Sequence, residues 1–76
     1  MEKAYILISC EIGTEHDLIS QLKKIDEIKN AMITYGDYDI VIEAITENTQ
    51  KMDELITSKI RKLEKIRTTI TLRVTV

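Results

Sequence analysis

The sequence lacks proline, phenylalanine and tryptophan, and it has only two glycines and one cysteine among 76 residues. A single thiol, Cys10, cannot form a disulfide within the chain, so the cysteine content favours a reducing compartment. The longest uncharged runs span seven residues, which is too short to cross a bilayer, and no signal-peptide pattern surrounds them. We expect a cytoplasmic protein that makes no membrane contact.

An excess of positive charge is also absent, since 11 basic and 13 acidic residues give a net charge of −2. Nucleic-acid binding depends on neutralising phosphates, so this balance argues against direct DNA binding. With 43% hydrophobic and 32% charged residues, the chain is nevertheless typical of a folded protein. Its length suits one domain covering residues 1–76, and so short a chain buries only about 60% of its unfolded surface.

The residue types that usually carry chemistry are scarce. Cys10 and His16 are the only soft metal ligands, and a zinc site needs three or four. No nucleophile elbow, phosphate-binding glycine loop or zinc-binding helix motif occurs. An RNA-recognition sheet would need stacked aromatic residues, and the predicted central strands offer only Tyr5 and Tyr38. A basic run at 59–67 fits the solvated end of a helix. The sequence therefore predicts no metal, no cofactor and no catalytic residue.

The spacing of hydrophobic residues divides the chain into six elements. Residues 4–12, 28–35, 38–45 and 66–76 have the composition or the alternation of strands, and Gly36 and Asp37 form a short turn between the middle two. Apolar residues recur at helical spacing after Thr14 and again after Asn48, and both residue types favour the N-cap of a helix. The order β-α-β-β-α-β predicts a ferredoxin-like α+β fold, with both helices on one face of a four-stranded antiparallel sheet.

The sheet face that the helices leave open bears on how the chain assembles. The last strand alternates an apolar set with a polar set, namely Ile70, Leu72, Val74 and Val76 against Thr69, Thr71 and Arg73. We expect the apolar set to face the helices. The open face would then hold Leu7, Val41 and Thr71, and a monomer would leave Leu7 and Val41 in water. We therefore expect two chains to pair through these three residues.

The segment Tyr35-Gly36-Asp37-Tyr38-Asp39 joins the two middle strands. Gly36 suits a turn that needs a positive φ, and Asp37 suits turn hydrogen bonding. Asp39 heads a strand whose neighbours on that face are apolar or uncharged, where an unpaired carboxylate is costly. Two roles stay open for it: capping the turn, or receiving the ammonium group of a small zwitterion.

Two motifs at a fixed separation resemble those of the Lrp/AsnC transcription regulators. Residues 34–42 resemble the Gly-x-(Tyr/Phe)-Asp-(hydrophobic) signature of the effector-binding (RAM) domain of that family. Residues 66–71 resemble its closing Val-x-x-Thr-x-Thr strand. The resemblance covers nearly the whole chain, with two departures. Glu27-Ile28 stands where the family often has Gly-Val, and Lys65-Ile66 stands where it often has Pro-Gly-Val.

The resemblance implies a regulatory module that senses an amino acid. Family members dimerise through their sheets, their dimers close into rings that are commonly octamers, and effectors bind between dimers. By position, Gly36 and Asp39 would supply the backbone and the carboxylate of the site. Around them would lie Thr34, Tyr35 and Tyr38 from the turn, and Thr68, Thr69 and Thr71 from the last strand. The family's helix-turn-helix has no counterpart in this sequence, so we expect action with itself or with helix-turn-helix paralogues.

Two other functions stay open on the sequence alone. Small dimeric α+β barrel enzymes, such as monooxygenases or isomerases, share this strand order. Their pockets are usually lined by His, Trp or Phe, of which this chain has one histidine. A purely structural oligomerisation domain, in which the glycine turn is only a turn, is the other alternative. We expect a binding module without enzymatic activity.

Overall fold

The computed structural model describes residues 1–75 and confirms the predicted order of elements. The strands are β1 (Glu2–Cys10), β2 (Ile28–Ile33), β3 (Ile40–Thr46) and β4 (Ile66–Val74), and the helices are α1 (Glu15–Lys23) and α2 (Thr49–Glu54). The loop between β2 and β3 covers residues 34–39, so both strands are shorter at this end than predicted. Val76, predicted to end the last strand, lies outside the described residues.

The strands form one antiparallel sheet in the order β2-β3-β1-β4, which is the predicted ferredoxin-like arrangement. One face of β1 and β3 and the apolar stripes of the helices form the core, whose largest fully buried side chains are Ile6, Ile8, Leu18, Leu22, Ile40, Ile42, Met52, Leu55 and Ile60. Cys10 belongs to this core and is 4% exposed. Burial raises the pKa of its thiol, which suits a packing role.

The last strand faces the opposite way from the prediction. Leu7 pairs with Ile70 and Ile6 pairs with Thr71, so the apolar residues of β4 lie on the open face and its threonines lie on the helix face. The prediction was wrong because it placed Ile70, Leu72 and Val74 on the sheet face that packs against the helices. The register with β1 fixes the orientation instead. Ile70 therefore replaces Thr71 among the residues that a pairing through the open face could bury.

The open face carries an apolar row that crosses all four strands. Met32 pairs with Val41, Val41 with Leu7, and Leu7 with Ile70. Met32 and Ile70 are 50% and 42% exposed at the two ends of the row. Because single exposed apolar residues are common but a continuous row is not, this row marks a surface that another chain can cover.

The two helices begin in different ways. Asn48 caps α2, because its Oδ1 accepts a hydrogen bond from the backbone N–H of Lys51 at 2.9 Å. Thr14 has a ψ of 0° rather than the extended backbone of an N-cap, and its hydroxyl donates to the carbonyl of Glu11 at 2.6 Å. Thr14 thus precedes α1 as predicted, but the predicted side-chain cap is wrong, because its hydroxyl closes the turn after β1 instead of accepting from a helix amide.

The second helix changes from α-helical to π-helical hydrogen bonding before the chain reaches β4. α2 continues as a π-helix over Leu55–Ile60, and the backbone N–H of Arg61 donates to the carbonyl of Ile56 at 3.0 Å. Arg61 directly follows this segment and lines a cavity together with Ile66 and Arg67 at the beginning of β4. No helix within residues 1–75 is long and apolar enough to span a membrane.

Candidate functional site

The loop between β2 and β3 is closed by its own hydrogen bonds. The backbone N–H of Thr34 donates to the carbonyl of Asp39 at 2.9 Å, and the Thr34 hydroxyl donates to the carbonyl of Tyr38 at 2.8 Å. The backbone N–H of Asp39 donates to the carbonyl of Ile8 at 2.9 Å, which ties the loop to β1. Thr34 therefore stabilises the loop, and its hydroxyl hydrogen is engaged in the bond to Tyr38.

The side chain of Asp39 is held at the end of β1. Its Oδ2 accepts a hydrogen bond from the backbone N–H of Cys10 at 2.9 Å. No N–H or O–H group of residues 1–75 donates a hydrogen bond to its Oδ1, and the Cys10 thiol lies close enough that the carboxylate contributes to its raised pKa. One oxygen of this half-buried carboxylate thus satisfies a strand-end amide, while the other can accept a hydrogen bond from a ligand.

Gly36 lies at the tip of the same loop with a φ of +118°. A Cβ at this position would meet no heavy atom within 4 Å, so the requirement for glycine comes from the backbone conformation and not from crowding. Gly36 is exposed at this tip. Tyr35 is fully exposed beside Gly36, and Tyr38 is half-buried.

The three threonines of β4 are not brought to one place. Thr68 pairs with Ser9 on the open face, and Thr69 and Thr71 face the helix side. A cavity of about 410 Å³ lies at the beginning of β4, and it is lined by Arg61, Ile66, Arg67, Thr68 and Thr69. Thr71 lines a neighbouring cavity with Arg61 and Arg73. Thr68 and Thr69 thus share a cavity at the beginning of β4, and Thr71 lies further along the strand.

A polar cluster on the open face surrounds Glu43. Its Oε2 is 2.8 Å from Lys3 Nζ, its Oε1 accepts from Asn30 Nδ2 at 2.8 Å, and the Tyr5 hydroxyl donates to Oε2 at 3.4 Å. The hydrogen bonds from Lys3 and then Asn30 lower the pKa of Glu43. The carboxylate is therefore fully partnered within its own chain.

Among residues 1–75, no group of three or more His, Cys, Asp or Glu side chains lies close enough together to hold a metal ion.

A model of the Lrp/AsnC ligand binding domain matches residues 3–75 of this sequence. The chain belongs to the Lrp/AsnC family. The HTH-type transcriptional regulator FL11 of Pyrococcus furiosus is 33% identical over 73 residues, which are 93% of this chain and 48% of that protein. The chain thus spans about half the length of this curated relative.

Two solved structures are similar in fold to this Lrp/AsnC domain. Hypothetical protein PHS023 from Pyrococcus horikoshii superposes with a TM-score of 0.95 at 33% identity, covering 100% of this chain and 92% of that one. The transcriptional regulator NMB0573 of Neisseria meningitidis, solved as a complex with L-Met, has a TM-score of 0.88. At 13% identity over 97% of this chain and 49% of that one, its likeness concerns the fold.

Lys65 has a backbone conformation that the sequence analysis did not predict. It has a φ of +77°, and its carbonyl accepts the backbone N–H of Glu11 at 2.9 Å. By the resemblance noted above, glycine often stands at this position in the family, and Lys65 has the left-handed backbone that glycine adopts freely. The departure from the family motif was the signal that could have identified it.

Proposed function

We propose that this Lrp/AsnC domain is a regulatory module that binds an amino acid beside the β2–β3 loop and the beginning of β4. The observation that carries the proposal is the Asp39 carboxylate, anchored through Oδ2 to the Cys10 amide while Oδ1 has no N–H or O–H donor among the described residues. The matched family model is a ligand-binding domain and the FL11 relative is a transcriptional regulator, which supports binding without catalysis.

The chemistry of the loop suits a zwitterion. An ammonium group can donate a charge-assisted hydrogen bond to Asp39 Oδ1, and the backbone amides around Gly36 can receive a carboxylate. The L-Met complex of the Neisseria regulator supports this class of ligand. In this proposal Tyr35 and Tyr38 flank the ligand and Thr68 and Thr69 contribute hydroxyls. Thr34 holds the loop, and Thr71 has no direct role.

Self-association through the open face is the second part of the proposal. The row from Met32 to Ile70 continues into Leu72 and Val74, which are 51% and 38% exposed. Covering this face with a second copy would bury an apolar surface that a 76-residue core leaves in water. The Glu43 cluster permits such burial, because its charges are already paired. This proposal extends to larger assemblies. In these, four dimers close into an octameric ring, or the chain assembles with helix-turn-helix paralogues.

A thermal-shift screen of the free amino acids tests the binding proposal. A ligand that binds only the folded protein raises its stability by roughly 2.7 kcal/mol at a hundredfold excess over the dissociation constant. We expect at least one amino acid to raise the melting temperature and Asp39→Asn to reduce that rise. A flat response to all of them would favour a purely structural oligomerisation domain.

A further inference from the structure

The cavity at the beginning of β4 lies in a concentration of positive charge. Residues 61–67 contain four basic residues and one acidic residue, in a chain whose net charge is −2. The basic residues are Arg61, Lys62, Lys65 and Arg67, and we call them the basic cluster. Arg61 and Arg67 both line the cavity, whose volume is about 410 Å³. That volume is ample for a small anionic group together with its water.

The basic cluster is not neutralised by its own chain. The ion pairs among residues 1–75 engage Lys3, Lys59 and Arg73, with no member of the cluster among them. Arg73 on the same strand is different, since it pairs with both Glu2 and Asp53. The guanidinium groups of Arg61 and Arg67 are therefore open to an external carboxylate, which they can bind in a bidentate geometry.

Lys65 adds an independent observation. A left-handed backbone costs a lysine on the order of 1 kcal/mol or more compared with glycine, which would adopt it freely. The sequence nevertheless has a cation here, in the left-handed conformation at +77°. The strained position thus increases the positive charge immediately before β4.

The basic cluster and Asp39 lie on opposite sides of the same end of β1. Thr68, beside Arg67, pairs with Ser9, and the backbone N–H of Asp39 donates to the carbonyl of Ile8. β3 and β4 therefore flank the same end of β1, about 10 Å apart at two strand spacings. We treat this end of the sheet as one site, with Asp39 on one side of β1 and Arg67 on the other.

We propose that the effector of this chain is a dicarboxylic amino acid, whose side-chain carboxylate is received by Arg61 and Arg67 while Asp39 receives its ammonium group. The proposal rests on the proposed function and adds the chemical class of the ligand. A neutral amino acid would use Asp39 and the Gly36 loop but would leave the two guanidinium groups without a partner. An acidic surface of a neighbouring copy is the competing occupant of the basic cluster.

Calorimetric titration with two isosteric pairs, aspartate against asparagine and glutamate against glutamine, tests this proposal at constant ionic strength. We expect the acid of at least one pair to bind at least tenfold more tightly than its amide. In the double variant Arg61→Gln/Arg67→Gln, the acid should lose this advantage while the amide affinity stays within twofold. The control is Lys51→Gln, which removes one charge beside Ile45 and Thr46 at the other end of the sheet and should keep the parent ratio.

The other outcomes distinguish failure of the dicarboxylate proposal from failure of the proposed function. Amides that bind as tightly as acids, or a double variant that keeps the parent ratio, would overturn the dicarboxylate proposal and leave amino-acid binding in place. A double variant that changes only the sedimentation of the assembly would assign the basic cluster to contacts between copies, which also overturns it. If no free amino acid gives heat at millimolar concentration, the proposed function itself is wrong.

Discussion

The Oδ2 atom of Asp39 accepts a hydrogen bond from the backbone N–H of Cys10 at 2.9 Å. This contact joins the beginning of β3 to the end of β1 and orients a carboxylate at the edge of the sheet. It also separates two functions within one side chain. One oxygen stabilises the fold, while the other can serve a ligand.

Asp39→Asn isolates the charge of this carboxylate. The asparagine Oδ1 can still accept from the Cys10 amide, so we expect the fold to persist with a loss of stability of about 1 kcal/mol. Ligand affinity measured by calorimetry should fall tenfold or more, because a charge-assisted hydrogen bond to the ammonium group is lost. Asp39→Ala, which also leaves the Cys10 amide without its acceptor, should lose roughly 1–3 kcal/mol of stability. Unchanged affinity in a folded Asp39→Asn protein would limit Asp39 to a structural role.

Val41→Asp tests the apolar row on the open face. A buried aspartate without a partner costs several kcal/mol, so we expect this variant to sediment as a monomer and to melt at a lower temperature. The matched control is Thr71→Asp, which places the same charge on the opposite face near Arg61 and Arg73. The control should keep the assembly of the parent. A parent-like assembly in Val41→Asp would exclude the open face as the interface.

Glu43 makes the stability depend on pH in a defined direction. Hydrogen bonds from Lys3 and Asn30 lower its pKa in the folded protein below the usual value of 4.5. A lowered pKa contributes stability that is complete above the unfolded value and is lost as the pH falls through the folded value. The parent should therefore be more stable than Glu43→Gln at pH 7, and this difference should shrink between about pH 5 and pH 3. Denaturant titrations at each pH measure it, and parallel pH profiles would contradict it.

Lys65→Gly should stabilise the protein although it removes a side chain. Glycine relieves the left-handed strain at a φ of +77°, and its greater freedom in the unfolded chain offsets part of the gain. We expect a net gain of about 1 kcal/mol, or a melting temperature roughly 4–8 °C higher for a domain of this size. Lys62→Gly removes an equal charge where φ is not positive and should give no gain. An equal response of the two variants would show that charge, and not backbone conformation, sets the effect.

The sequence was sufficient for the order of the elements, because hydrophobic spacing reports directly which residues are buried. It was insufficient for β4, where alternation separates two faces but does not say which face meets the helices. Pairing Leu7 with Ile70 settles that orientation, and pairing is a property of the assembled sheet. The prediction of a side-chain cap at Thr14 was wrong for a related reason, since the backbone of Thr14 follows the turn after β1.

The candidate site was predictable only in part. The glycine turn and Asp39 stand out in the sequence because both are unusual within a strand-rich segment. The Cys10 amide is invisible there, since any residue supplies a backbone N–H. The cavity next to Arg61 is equally hidden, because its lining combines the residue after the second helix with the first residues of β4.

Amide chemical-shift mapping with the amino acid that binds most tightly tests the central claim most directly. A ligand held by Asp39 and the loop changes the surroundings of the Cys10 and Gly36 amides, which contact or adjoin the proposed site. We predict that these two resonances move progressively during the titration, together with that of Thr68. Shifts confined to the other end of the sheet, near Ile45 and Lys51, would contradict the account.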